Sequence, residues 1–245
     1  MSKYNLGFIS DEQIFEHTKE TVLEYGSVVD LAEFNKNIID PIKLTFDAKV
    51  YSKSFEEIIE SECIRQVDKG NTNYIGFFHQ KLFNYAGNGW YVPAKGFDVV
   101  NEDKMIYVEM KNKHNTMNSS SAAATYMKML KQLSIQPNST CLLVEAIAKH
   151  SQNIVWRTTV NEVRYEDERI RRVSMDKFYE IVFGDATAFS RLCKALPTII
   201  DDVIKETHTN KMQNNVCEEL HKISSDTFKS LYLLAFRTYE GFDNF

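Results

Sequence analysis

Residues 96–115, Gly-Phe-Asp-Val-Val-Asn-Glu-Asp-Lys-Met-Ile-Tyr-Val-Glu-Met-Lys-Asn-Lys-His-Asn, hold the side chains best suited to chemistry, above all Asp98, Glu109 and Lys111. The stretch predicts two short strands joined by a polar turn at 101–104. Side chains two apart on a strand share a face. Met105, Tyr107, Glu109 and Lys111 are therefore expected on one side, and Ile106, Val108 and Met110 on the other, the core side. Pairing Val100 with Met105 in antiparallel register puts Asp98 opposite Tyr107 and diagonal to Glu109, within reach of one shared ion. Two carboxylates suit a hard cation such as Mg²⁺, which takes one or two protein carboxylates and leaves its other positions to water and substrate. Lys111 beside them can stabilise charge on a phosphate or orient an attacking water. The alternative is a half-exposed hairpin whose glutamate and lysine are merely solvated, because Asp followed by Glu-x-Lys occurs in many chains.

Asp98, ten intervening residues and Glu109-Met110-Lys111 resemble the PD-(D/E)xK nuclease signature. The longer string Val-Glu-Met-Lys-Asn-Lys-His-Asn-Thr-Met-Asn-Ser-Ser-Ser, residues 108–121, is similar to that of a small family of type II restriction endonucleases. The resemblance covers roughly Tyr74 to Val160, and departs from the signature at Phe97, which stands where proline is usual. It implies an α/β restriction-endonuclease-like fold, a mixed central sheet flanked by helices, with helical N- and C-terminal extensions. It also implies Mg²⁺-dependent hydrolysis of double-stranded DNA at a G·C-rich palindrome of GGNCC type, beside a separate methyltransferase acting on the same site. Asp98 and Glu109 would hold the metal and Lys111 would act on the attacking water. His79 and Gln80, on the helix ahead of the hairpin, would be linked to the metal indirectly. Cutting both strands of a palindrome suits a two-fold homodimer. Two other readings stay open: a repair or recombination nuclease that prefers DNA structure over sequence, and a non-catalytic DNA-binding module on a nuclease-like fold.

With 245 residues, 43% hydrophobic and 26% charged, the chain can bury a substantial core as one domain: a helical extension to about residue 70, a catalytic core over about 74–160 and a helical region over about 174–245. The net charge of −5 means that DNA binding must rest on local basic surface. Cys63, Cys141, Cys193 and Cys217 form no CxxC pair, which argues against zinc and disulfides and for reduced thiols. With neither a targeting signature at the start nor a membrane-length apolar run, the expectation is a cytoplasmic protein that does not engage the membrane.

Apolar spacing predicts helices over 11–25 and 29–39, and a capping box of Ser54 and Glu57 opens another that ends near Gly70. An aromatic helix is expected over 73–86, then a short strand over 90–92. Ser119–Ser121 reads as the cap of a helix reaching Leu133, and Cys141 to Ala148 as a central buried strand. Ile154 to Val160 reads as one strand carrying Trp156 and Arg157. Helices follow over 174–183, 186–196, 198–206 and 226–239. DNA-contacting donors are sought in Asn112, Lys113, His114 and Asn115 beside the carboxylates. Arg157, Arg164, Arg169, Arg171 and Arg172 are further candidates, since arginine reads guanine bidentately. Against the latter, Glu162, Glu166, Asp167 and Glu168 cancel the charge and suggest a salt-bridged surface.

Overall fold

The computed structural model describes residues 3–25, 28–114, 117–160, 162–208 and 213–236, with only the backbone described at 28–29 and 213–214. By its contacts the chain packs as two compact units, Met1–Val22 with Tyr74–Thr207, and Leu23–Asn73 with His208–Phe245.

Asp11–Glu24 (α1) is opened by a reciprocal pair, Gln13 N donating to Ser10 Oγ (3.1 Å) and Ser10 N to Gln13 Oε1 (3.2 Å). After Val28–Val29 (β1), the single helix expected over 29–39 is instead two, Leu31–Lys36 (α2) and Pro41–Val50 (α3). Asp30 and Asp40 cap them through their carboxylates, and Pro41 takes the first-turn position where a missing N–H costs nothing. The Ser54–Glu57 box forms as expected, at 2.8 and 3.2 Å. It opens one 28-residue helix, Phe55–Leu82 (α4), that absorbs both helices expected on either side of Gly70. Glycine inside a helix costs about 1 kcal/mol relative to alanine. Burying Ile58, Ile59 and Cys63 before it, and Phe78 and Leu82 beyond it, outweighs that cost.

A turn of 3₁₀ helix, Phe83–Ala86, leads to Trp90–Tyr91 (β2), Val99–Asn101 (β3) and Ile106–Lys113 (β4), an antiparallel meander. Ser119–Ile135 (α5) crosses to Thr140–Ile147 (β5), which runs parallel to β4. The cap of α5 is Asn118, whose Oδ1 accepts from Ser121 N at 2.8 Å, rather than a serine. Two strands, Asn153–Val155 (β6) and Thr158–Val160 (β7), replace the one expected over 154–160. Val163–Tyr165 (β8) pairs with β7 as a separate hairpin, and Ile170–Ser174 (β9) enters the main sheet. Met175–Phe183 (α6) ends at Gly184 in the left-handed conformation. Ala188–Thr207 (α7) runs through Pro197 where two helices were expected, because Leu192, Ile199 and Val203 bury one continuous face. Gln213–Asn214 (β10), Val216–Ile223 (α8) and Thr227–Phe236 (α9) complete the described chain.

The main sheet has the order β2-β3-β4-β5-β9-β6, with the β4–β5 and β5–β9 pairs parallel and the rest antiparallel. One face packs Val99, Val108, Met110, Leu142, Val144 and Val173 against side chains of α4, α6 and α7, and the other packs Val100, Tyr107, Cys141, Leu143 and Ile170 under Tyr126, Met129 and Leu133 of α5. The fold is thus the mixed α/β architecture expected, but with a difference at β4. Both its faces are covered, whereas only the Ile106, Val108, Met110 side was expected to be core. In the other unit, Phe34, Leu44, Ile59, Val216, Leu220 and Leu231 form a core of their own and β1 pairs in parallel with β10.

Candidate active site

The hairpin pairs Val99 with Val108, Val100 with Tyr107 and Asn101 with Ile106. That register is two residues from the expected one, because the turn lies later, at 102–105, with Met105 at φ +54° and its N–H on Glu102 O (3.0 Å). A slip of two keeps every side chain on its own face. Asp98 lies one residue before the ladder, in a bend, and its hydrogen bonds to the residues on either side of Glu109 bring its charge next to that carboxylate. Asp98 N donates to Val108 O (2.8 Å), and Asp98 Oδ2 accepts from Met110 N (2.7 Å), so the aspartate is fixed to β4 by its own backbone and side chain.

Glu109 is only 7% exposed. Two ammonium groups flank it. Lys111 Nζ lies 3.9 Å from Oε2, and Lys128 Nζ, from α5, bonds to Oε1. Lys128 also donates to Gly96 O (2.7 Å) and sits 4.6 Å from the centre of the Phe97 ring. Gly96 has φ +102°, a conformation glycine adopts without strain, and so offers its carbonyl to the lysine. Burial pushes the Glu109 carboxyl above its ordinary range, and the neighbouring Asp98 charge adds to the rise, while Lys128 and Lys111 oppose it.

A divalent cation fits this donor set. Asp98 and Glu109 are adjacent, their charges repel, and a shared cation would relieve both that repulsion and the desolvation of Glu109. Among the described residues no group of three or more His, Cys, Asp or Glu side chains gathers as a metal cage. Two carboxylates suit an ion such as Mg²⁺ that keeps water and substrate in its shell.

A second charged group lies one strand over. Glu145 on β5 pairs in register with Lys111 and is 1% exposed. Its carboxylate takes His114 Nδ1 at 3.0 and 3.1 Å and Arg172 Nη2 at 3.1 Å. Arg172 also lies 5.9 Å from the Trp156 ring centre. The ladder pairs Glu109 with Leu143 and Leu143 with Arg172, so Arg172 shares the face of the carboxylates. Neither Lys128 nor Glu145 was singled out from sequence. Glu145 had a signal, a lone charge within an apolar strand, whereas Lys128 reads like any solvated helical lysine.

The other sequence candidates are placed as follows. Asn112 and Lys113 continue β4, with Asn112 against Gly76 of α4, and Asn115 falls outside the described residues. Arg157 and Arg164 pair with Glu166 at 2.8 and 3.9 Å, and Arg169 with Asp167 at 2.6 Å. Arg171 donates to Asn153 Oδ1 and O, both at 2.6 Å, tying β9 to β6. These arginines are engaged in local pairs, as the salt-bridged alternative expects.

Gln80 is half-buried on α4, the helix whose Phe78 and Leu82 pack with Val108 and Met110, on the side of β4 away from Glu109. His79 is on the same helix, its ring beside Phe78 and Phe189, with Nδ1 buried and without a hydrogen-bond partner among the described residues. Burial pushes its pKa down to about 4, and the nearby His17 adds to the drop. Between pH 6.5 and 4 the unfolded chain thus binds a proton that the folded chain excludes, and stability falls as pH falls through that window. From pH 7.5 to 5 the expected loss is about 2 kcal/mol. Urea unfolding at both pH values checks this. His79→Phe should lose that part of the pH dependence, and an unchanged slope would refute the assignment.

Compared with known proteins, residues 6–205 match the model of the family described as Eco47II restriction endonuclease. The chain is similar to the type II restriction enzyme Sau96I of Staphylococcus aureus, with 32% identity over 223 residues that cover 86% of this chain and 85% of that protein. It is also similar to the type II restriction enzyme Eco47II of Escherichia coli, with 31% identity over 221 residues covering 82% and 89%.

Proposed function

The chain belongs to the Eco47II restriction endonuclease family, and from that premise we propose that it is a type II site-specific deoxyribonuclease whose active site is Asp98, Glu109 and Lys111. The observation that carries the assignment of the site is the pair of hydrogen bonds that tie Asp98 to Val108 O and Met110 N, on either side of the buried Glu109, with Lys111 Nζ 3.9 Å from the Glu109 carboxylate. Asp98 and Glu109 would hold Mg²⁺, which when bound polarises the phosphate and acidifies a coordinated water. Asp98, locked by Met110 N, keeps one carboxylate orientation. Glu109, shielded from solvent, presents its charge where screening is weak. Lys111, a third exposed, extends from the same strand face and serves to orient the attacking water and to balance charge gathering on the scissile phosphate.

Lys113 and His114, at the end of the same strand, serve as phosphate or base contacts, whereas Asn112 faces α4, away from the carboxylates. Among the arginines, Arg172 has the best claim to a base, because it lies on the carboxylate face and is held by Glu145 instead of by an exposed partner. Guanine offers N7 and O6 to such a donor. The substrate is proposed to be a G·C-rich palindrome of GGNCC type, read by a homodimer and protected by a separate methyltransferase.

Digestion of a fully sequenced supercoiled plasmid with Mg²⁺ tests this reading. The expected result is linear fragments whose ends all map to GGNCC, formed without build-up of nicked circles. Ends at A·T-rich sites would sink the specificity, persistent nicking would sink the paired active sites, and ends at forks or flaps regardless of sequence would favour a structure-specific nuclease. No helix among the described residues is long and apolar enough to cross a membrane.

A further inference from the structure

Lys128 is absent from the Glu-x-Lys motif, yet its ammonium is closer to the Glu109 carboxylate than that of the motif lysine. It reaches Glu109 from α5, across the gap between helix and sheet, and is held there by three features: the Oε1 of Glu109, the carbonyl of Gly96 at 2.7 Å and the face of Phe97. Phe97 and Gly96 immediately precede Asp98, so the lysine is anchored on the same loop that delivers the second carboxylate. An ammonium and a divalent cation make the same demand of a carboxylate oxygen. Both cannot sit on Glu109 Oε1 at full strength, because two positive charges so close repel each other.

We propose that Lys128 is a positioning residue that competes with the metal for Glu109: it neutralises the buried carboxylate and sets the concentration of Mg²⁺ that the site requires. This inference rests on the reading of Asp98 and Glu109 as the metal-holding pair. Lys128 keeps the desolvated Glu109 charge from going unpaired, and it makes the cation displace a partner before it can bind. Lys111, 3.9 Å from the other oxygen, leaves room for a cation on the first, so the two lysines divide the work. Lys111 stays for the phosphate while Lys128 yields.

The test measures Mg²⁺ binding to the DNA-free protein by calorimetry at constant ionic strength, in the wild type, Lys128→Met and Asp98→Asn. Methionine keeps the length of the chain and removes the charge. Lys128→Met is expected to bind Mg²⁺ about tenfold more tightly, the effect of removing one competing charge. Its melting temperature should also rise more on Mg²⁺ addition than that of the wild type, since more metal-binding energy is linked to folding. Asp98→Asn is expected to bind Mg²⁺ much more weakly. If Asp98→Asn loses binding while Lys128→Met binds as the wild type or more weakly, the competition is refuted and the metal site stands. If Asp98→Asn binds Mg²⁺ as the wild type does, the metal-site reading itself falls and this inference with it. Should Lys128→Met fail to fold, Lys128→Arg serves, with its bulkier and always charged head expected to hold Glu109 and leave Mg²⁺ binding no tighter; tighter binding by that variant would overturn the proposal.

Discussion

Glu109→Gln and Asp98→Asn are each expected to lower DNA cleavage by at least about a thousandfold, roughly 4 kcal/mol of transition-state stabilisation. Each replacement is nearly isosteric and removes one negative charge from the pair that would hold the cation. In Asp98→Asn the amide oxygen can still accept from Met110 N, so the link that joins the loop to β4 survives. In Glu109→Gln the flanking Lys111 and Lys128 lose their shared counter-charge, but a desolvated carboxylate, already pushed towards its neutral form by burial and by Asp98, is also removed. The two effects oppose each other, and melting temperatures are expected to stay within a few degrees of the wild type. Lys111→Ala should show a comparable fall in activity. Single-turnover cleavage of a plasmid carrying the mapped site, with thermal melting of each variant alongside, separates lost chemistry from lost folding. Wild-type cleavage by a folded Glu109→Gln protein would remove Glu109 from the site.

The hairpin was legible in the sequence because a strand's period is two: a register error of two residues, caused by a turn that closes through Met105 in the left-handed region, leaves Glu109 and Lys111 on their common face, with Asp98 still tied to β4 beside Glu109. The crossover from β4 through α5 to β5 was legible for a similar reason, since the alanine-rich helix and the apolar run of β5 each carry an unambiguous signal. β9 was hidden. Arg171 and Arg172 occupy its middle, and only the ladder to β5 and the partners Asn153 and Glu145 explain charged side chains in a half-covered strand. Gly70 and Pro197 misled as helix stops, because each local penalty of about 1–3 kcal/mol is outweighed by burial on both sides that no local window contains. Lys128 was invisible for a different reason: its role depends on which loop α5 covers, and that is decided by tertiary packing.

Glu145→Ala is expected to destabilise the fold by about 3–5 kcal/mol, the usual consequence of leaving half of a buried charge pair behind. The carboxylate sits on the central strand β5 at 1% exposure, beneath His114 and Arg172. Removing it strands the guanidinium of Arg172, a side chain that is four-fifths buried and whose Nε already lacks a partner among the described residues, and it cuts the tie between the end of β4 and β9. Glu145→Gln keeps the hydrogen-bonding shape without the charge and should lose less. Pairing Glu145→Leu with Arg172→Leu should recover much of the loss, because an apolar pair of fitting volume does not carry the desolvation cost of the ions. That double variant separates stability from recognition. If Arg172 reads a base, the restored protein should fold nearly as well as the wild type yet cleave with relaxed sequence preference at one position, a loss of about 1–3 kcal/mol in discrimination. Urea unfolding gives the first quantity and competitive cleavage of single-base variants of the site gives the second. A double variant that is stable and keeps full discrimination would leave the cluster with a purely structural role and move base reading to another donor.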